Sequence, residues 1–156
     1  MFAWSTSDGF VGKGKDPEVA NFLFLTGDAF RTLGLSAWRG RLIGSADEHA
    51  CPETVAKVSY AYWQTKLGGQ PIDANTKLLV DVLQLQIVGV TPPSFFGLSV
   101  GERFDIARPL CQPKELDRNW FDVGVVGRLR PGWVCSPWLG ERQGFCRRCE
   151  DQKWMR

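Results

Sequence analysis

Hydrophobic and polar positions change period near the middle of the chain. Val55–Ser59 (VAKVS) alternates as a half-buried strand does, and Tyr60–Leu67 then shifts to helical spacing, with Tyr60, Trp63 and Leu67 at i, i+3 and i+7. Gly68, Gly69 and Pro71 stop that helix, because glycine permits positive φ and proline cannot continue the hydrogen-bond ladder. Thr76–Val82 and Leu85–Val90 are rich in β-branched residues and predict an antiparallel hairpin turning at about Leu83–Gln84. Thr91-Pro92-Pro93 then excludes both helix and central strand. Upstream, Asn21–Thr26 (NFLFLT) has the length and composition of a strand. A short helix follows from Asp28 through Ala29, Phe30 and Leu33, and Gly34 sits where a left-handed cap would end it. Ser36–Pro52 reads as an exposed loop, Arg103–Leu110 and Asp122–Leu129 as further strands, and Arg130-Pro131-Gly132 as a turn. Residues 1–20 are polar and Gly-rich and predict at most a short edge strand. The pattern is that of one mixed domain of strands and short helices.

Composition agrees with one domain. At 156 residues, 44% of them hydrophobic and 12% aromatic, the chain has apolar surface for a single core. A formal charge of +2 argues against an electrostatic nucleic-acid or membrane partner. That excess belongs to residues 134–156, since residues 1–133 balance 14 basic against 14 acidic side chains. No run approaches the roughly 18 apolar residues that span a bilayer, because Asp81, Gln84 and Gln86 interrupt the most hydrophobic region. The opening MFAWSTSDGF lacks the basic flank and apolar core of an export signal. Five cysteines, an odd number, do not declare a disulfide framework and leave the compartment open.

The candidate chemical motifs are weak. Gly9 to Asp16 matches most of the phosphate-cradling pattern G-x-x-x-x-G-K-[ST], but Asp16 stands where a hydroxyl should hold magnesium and Pro17 stands where a helix should begin. His49 lies among Asp47, Glu48 and Cys51 in a loop, with no second cluster to complete a tetrahedral shell. Cys146-Arg-Arg-Cys149 suits zinc or thiol exchange, yet lacks both a matching ligand pair and a strand-to-helix context. One histidine and no serine or cysteine nucleophile motif argue against catalysis. The expectation is therefore no catalytic residue, no cofactor and no metal. Phe95-Phe96, beside the two prolines, either pins its loop to the core or meets a partner.

Several motifs in order carry a resemblance. Thr26-Gly-Asp-Ala-Phe30 with Leu33-Gly34 resembles a family pattern SGxYFxxLG, and Gly40-Arg41 its GR. They are followed by Val58-Ser-Tyr-Ala-Tyr-Trp63-Gln with Gly68-Gly69-x-Pro71, and by Ile87-Val-Gly-Val-Thr-Pro-Pro-Ser-Phe-Phe-Gly97. Phe104-Asp105 with Pro109-Leu110 resembles FDVxxPL, and Val126-Gly-Arg-Leu-Arg-Pro-Gly132 resembles GRLKPG. Over residues 2–133 the chain resembles the MacB-like periplasmic core domain of FtsX/MacB-type ABC-transporter permeases, the acidobacterial-type permeases in particular. It departs at Asn75, where the family has Gly, and at Asp81-Val82, where it has an Asn/Asp-Gly turn.

The resemblance implies an α+β fold, with mixed sheet built from strand-helix-strand units and a β-hairpin-rich lobe, over residues 1–133. It implies an extracytoplasmic position on the cell membrane between the first two transmembrane helices. The implied role is non-catalytic coupling of ATP-driven motion to a substrate or partner outside. The implied partners are the transmembrane helices and ATP-binding subunit of the permease and a periplasmic protein. In that oxidising compartment a disulfide between Cys51 and Cys111 is expected, and Phe95 and Phe96 become a partner-contact loop. Residues 134–156 depart from the family, show no helical or strand period, and read as a divergent, disordered tail of a truncated or frame-shifted frame. Two other readings remain: a free-standing protein-interaction module, and a metal-binding protein using the tail cysteines.

Overall fold

The computed structural model describes residues 1–12, 17–49, 54–111, 123–129, 131–135 and 146–148. The chain forms two compact units, Met1–Val126 and Gly127–Arg156. In the first unit the elements in order are β1 (Phe2–Val11), β2 (Glu18–Leu25), α1 (Ala29–Leu33), β3 (Arg39–Gly40), a 3-10 turn (Ser45–His49), β4 (Val55–Val58), α2 (Tyr60–Thr65), β5 (Lys77–Val80), β6 (Leu83–Val90), β7 (Ile106–Pro109) and β8 (Gly124–Val126). In the second, β9 (Trp133–Cys135) pairs antiparallel with β10 (Cys146–Arg148), so strands form where the sequence shows no strand period.

The sheet of the first unit closes on itself. β1 and β2 pair antiparallel from Trp4 opposite Leu25 to Val11 opposite Glu18. β2 then lies parallel to β7, β7 antiparallel to β4, β4 parallel to β6 and β6 antiparallel to β5. β5 returns to β1 through the single pair Val80–Val11, supported by Gly12 N–H to Leu79 O at 2.9 Å and Asp81 N–H to Phe10 O at 2.8 Å. β8 extends beside β1, and β3 beside β6. The α+β class expected from the resemblance holds. Among the described residues the topology is a closed ring with two short helices, in which β4 lies parallel to β6 and β2 parallel to β7.

Two cores follow from the closure. The first collects Val11, Phe22, Val58, Val80, Leu85 and Ile106, one from each strand of the ring, together with Tyr62 and Trp63 of α2. Contributions from all six strands are possible only inside the ring. The second lies on the outer face and packs Leu23, Leu25 and Ala107 against Phe30 of α1, Ile43, Phe95 and Phe104. Alternation along β2, with Phe22 inward and Leu23 outward, is the period-2 geometry of a strand buried on both faces.

Local chemistry explains the element boundaries. Ser59 leaves β4 at φ −65°, ψ 155°, and its Oγ accepts from Tyr62 N–H at 3.1 Å, so α2 begins at Tyr60. The helix buries Tyr62 and Trp63, whereas Tyr60 is half-buried. The buried face is thus rotated from Tyr60–Trp63–Leu67. Gly34 ends α1 at φ 71°, as its position predicts. Asp28 adopts the cap position without capping, because its carboxylate instead takes Arg31 at 2.7 Å. Gly40 and Gly89 face each other in the β3–β6 pair, and a Cβ on Gly89 would meet Arg41 O at 2.6 Å and Arg39 O at 2.7 Å.

Two expectations need correction. The hairpin turns at Asp81-Val82 rather than Leu83–Gln84, since Val80 pairs Leu83. Asp81 adopts φ 52°, a left-handed conformation aspartate tolerates, and its carboxylate accepts from Phe10 N–H at 3.2 Å. Residues 1–20 supply a ten-residue strand, β1, and the first three residues of β2, ahead of the expected Asn21 start.

The outer core holds one electrostatic anomaly. Lys57 is fully buried, its Nζ lies 4.9 Å from the Phe30 ring centroid, and that nitrogen has no hydrogen-bond partner. Burial, with the Arg41 charge as a smaller cause, lowers its pKa to about 8. Arg41 is itself held by Asp47 through two 2.7 Å contacts, which depress the carboxylate and raise the guanidinium.

Candidate interaction surface

The loop after β6 carries the residues that the sequence singled out. Phe95 N–H donates to Pro92 O at 3.0 Å, closing a tight turn over the second proline. That turn points two adjacent phenylalanines in opposite directions. Phe95 is 9% exposed and packs on Phe30 and Phe104, with ring centroids at 6.2 and 5.4 Å. Phe96 is 60% exposed, and the Arg103 guanidinium lies 5.7 Å from its ring centroid. Phe95 anchors the loop and Phe96 is displayed by it.

Two cavities flank this loop. The smaller, about 230 Å³, has walls from Tyr60, Pro93, Phe95, Phe96 and Phe104 beside Ser59 and Asp105. The larger, about 520 Å³, lies between the β1–β2 pair and the segment 97–104, and its lining includes Asp8, Asn21, Ser99 and Glu102. Arg103 and Phe104 line both. Phe104 is buried in the outer core, whereas Arg103 is exposed at the rim. The partition is held in place by β2 and β4: Asn21 N–H donates to the Asp105 carboxylate at 2.9 Å, Asp105 N–H to Asn21 O, and Ser59 N–H to Asp105 O, both at 2.8 Å. Trp38, half exposed, stacks edge-on against Tyr60 at 5.7 Å and extends the aromatic surface. No motif marked Arg103 or Trp38. The only sequence signal for Arg103 is its place directly before Phe104-Asp105.

The remaining candidates are dispersed. Cys111 is disulfide-bonded, and Cys51 lies outside the described residues. Half of the near phosphate loop, 13–16, also lies outside them, and Gly9 to Val11 belong to β1. Cys146 is in β10, while Cys149 is outside the described residues. His49 ends the 3-10 turn that carries Asp47 and Glu48, whose carboxylates are used within the fold: Asp47 holds Arg41, and Glu48 accepts from Gly27 N–H. Among the described residues no three His, Cys, Asp or Glu side chains gather as a metal would need, and no helix is long and apolar enough to cross a membrane.

No family model matches the sequence, and no curated protein matches it. Solved structures do match the fold. One is the periplasmic region of MacB from Actinobacillus actinomycetemcomitans, at TM-score 0.53 and 15% identity, covering 69% of this chain and 47% of that one. Another is the extracellular domain of the noncanonic ABC-type transporter YknZ from Gram-positive bacteria, at TM-score 0.53 and 9% identity, covering 69% and 52%. The chain thus spans about half the length of the structures it matches. Its fold is that of a MacB-like periplasmic domain, the architecture these ABC-type transporters place outside the membrane.

Proposed function

We propose that this chain serves as the extracytoplasmic domain of an ABC-transporter permease, without catalysis of its own, coupling ATP-driven motion to a substrate or partner protein outside the membrane. The observation that carries this reading is the fold shared with the MacB and YknZ domains. It gains support from a loop whose Phe95 is anchored in the core while Phe96 is presented to solvent, the arrangement a contact surface needs. Transmembrane helices and an ATP-binding subunit complete the assembly in this reading. Membranes of the source cells, solubilised and precipitated through this chain, should contain a subunit that hydrolyses ATP, and protease added to intact spheroplasts should cleave the chain. A precipitate without ATPase, or a chain protected until the spheroplasts are lysed, overturns the proposal.

Cys51 is the proposed partner of Cys111. The antiparallel register of β4 and β7, with Lys57 opposite Ala107 and Val58 opposite Ile106, places the start of β4 and the end of β7 at the same end of the pair. Cys111 follows Pro109 by two residues and Cys51 precedes Val55 by four, within reach at about 3.3–3.6 Å per residue. Non-reducing peptide mapping should return a Cys51–Cys111 linked pair, and a link from Cys111 to Cys135, Cys146 or Cys149 would refute it.

A further inference from the structure

We propose that the aromatic cavity beside Phe96 and the guanidinium of Arg103 together bind a protein segment in which an apolar side chain stands next to a carboxylate. This rests on the reading of the Phe96 loop as a contact surface and adds the chemistry of what it contacts. At about 230 Å³ the cavity is smaller than the roughly 300–1,000 Å³ typical of small-molecule sites. It suits one anchoring side chain, the usual centre of an interface hot spot. Its floor is preformed, because Phe95 and Phe104 are buried against each other and Phe95 also packs on Phe30. Its outer wall, Phe96 and Pro93, is exposed and gains burial only when something docks.

Charge selects the neighbour of that anchor. The described ion pairs use Arg31, Arg41 and Lys66, and none uses Arg103. Asp105, the carboxylate lining the same cavity, is committed to Asn21 N–H at 2.9 Å, and Glu102 lines the other cavity. Arg103 is therefore the cation at the rim, and its position over the Phe96 ring restrains it. A planar guanidinium held this way is prepared to take a carboxylate bidentately. The acidic residue of the partner would lie on the smaller cavity's side of Arg103, away from Asp8 and Glu102, which line the larger.

The test uses the 156-residue chain, isotopically labelled, titrated with three capped tetrapeptides: acetyl-Gly-Phe-Glu-Gly-amide, its Phe-Gln analogue and its Ser-Glu analogue. The first should give saturable amide shifts at Tyr60, Phe96 and Arg103, with at least tenfold weaker binding for each analogue. Arg103→Gln, shown folded by its own amide spectrum, should weaken the Phe-Glu peptide at least tenfold and leave the Phe-Gln peptide unchanged. Equal binding of Phe-Glu and Phe-Gln overturns the carboxylate assignment. Shifts reproduced by inorganic phosphate or by the Ser-Glu peptide overturn the apolar one, and no saturable shift at these residues overturns both. The assay contains no membrane or ATPase, so its failure leaves the transporter reading standing, and a precipitate without ATPase leaves this result intact.

Discussion

Inside the ring every strand contributes apolar side chains, and polar groups are enclosed with them. Trp63 Nε1 donates to Gln70 O at 2.7 Å, and the Arg108 guanidinium lies near the rings of Phe22 and Phe24 at 5.5 and 5.4 Å. Outside, the core is assembled from one five-residue helix, two connecting segments and one sheet face, and it encloses a lysine ammonium with no hydrogen-bond partner. The inner core is the hydrophobic solution to closing six strands. The outer core accepts a polar defect and irregular backbone, and the displayed Phe96 and Arg103 are mounted on it. Structural economy on one side leaves the other free to build a surface.

The largest effects should separate the two cores. Trp63→Ala removes the α2 plug and the Gln70 contact and should cost about 3–5 kcal/mol in urea unfolding. A loss under 1 kcal/mol would mean the ring is held by its ladder alone. On the outer side, Phe95→Ala should cost about 3 kcal/mol, whereas Phe96→Ala should stay within about 0.5 kcal/mol, since one ring is enclosed and its neighbour is not. Equal costs for the two would abolish the distinction between anchor and displayed residue.

Lys57→Met tests the defect. The folded pKa, about 8, lies below the ordinary 10.5, so the unfolded chain binds the proton more tightly and wild-type stability rises with pH between those values. Replacement by an apolar side chain of similar length should therefore stabilise by about 3 kcal/mol at pH 7, with the gain fading as pH approaches 10.5. A pH-independent difference between the two proteins would place the effect in packing rather than charge. Ser59→Ala removes the cap of α2 and should cost about 1 kcal/mol, read as a shift in denaturation midpoint at constant slope.

What was legible in the residues was local. The change from strand to helix at Ser59 shows in the spacing, because β4 and α2 are adjacent and each buries its own stripe. Gly34 was readable because only a left-handed cap needs it there. Lys57 was not, since VAKVS looks like a strand with one wet face, and α1 arrives from distant sequence to cover that face. β1 was hidden for the opposite reason: Thr6, Ser7 and Asp8 line a cavity, so a paired strand carries loop-like composition. Two neighbouring phenylalanines have identical propensities, and only tertiary packing decides which turns inward. At the Asn75 departure, Asp73 supplies the turn instead, accepting from Thr76 Oγ1 and from Asn75 N–H, both at 2.9 Å, which lowers its pKa, the Thr76 hydroxyl more than the Asn75 amide.

The unequal fastening of β1 has a mechanical consequence. One edge is zipped to β2 along nearly its whole length, and the other meets β8 over Phe2–Trp4 and β5 at a single residue pair. A pull applied through either hairpin should part the Val11–Val80 stitch first, leaving the β1–β2 ribbon whole and swinging. Amide exchange at Gly12 and Asp81, whose protons cross that stitch, would then outpace exchange across the β1–β2 ladder. A ring sewn this way opens at a chosen place while the rest of its ladder stays closed.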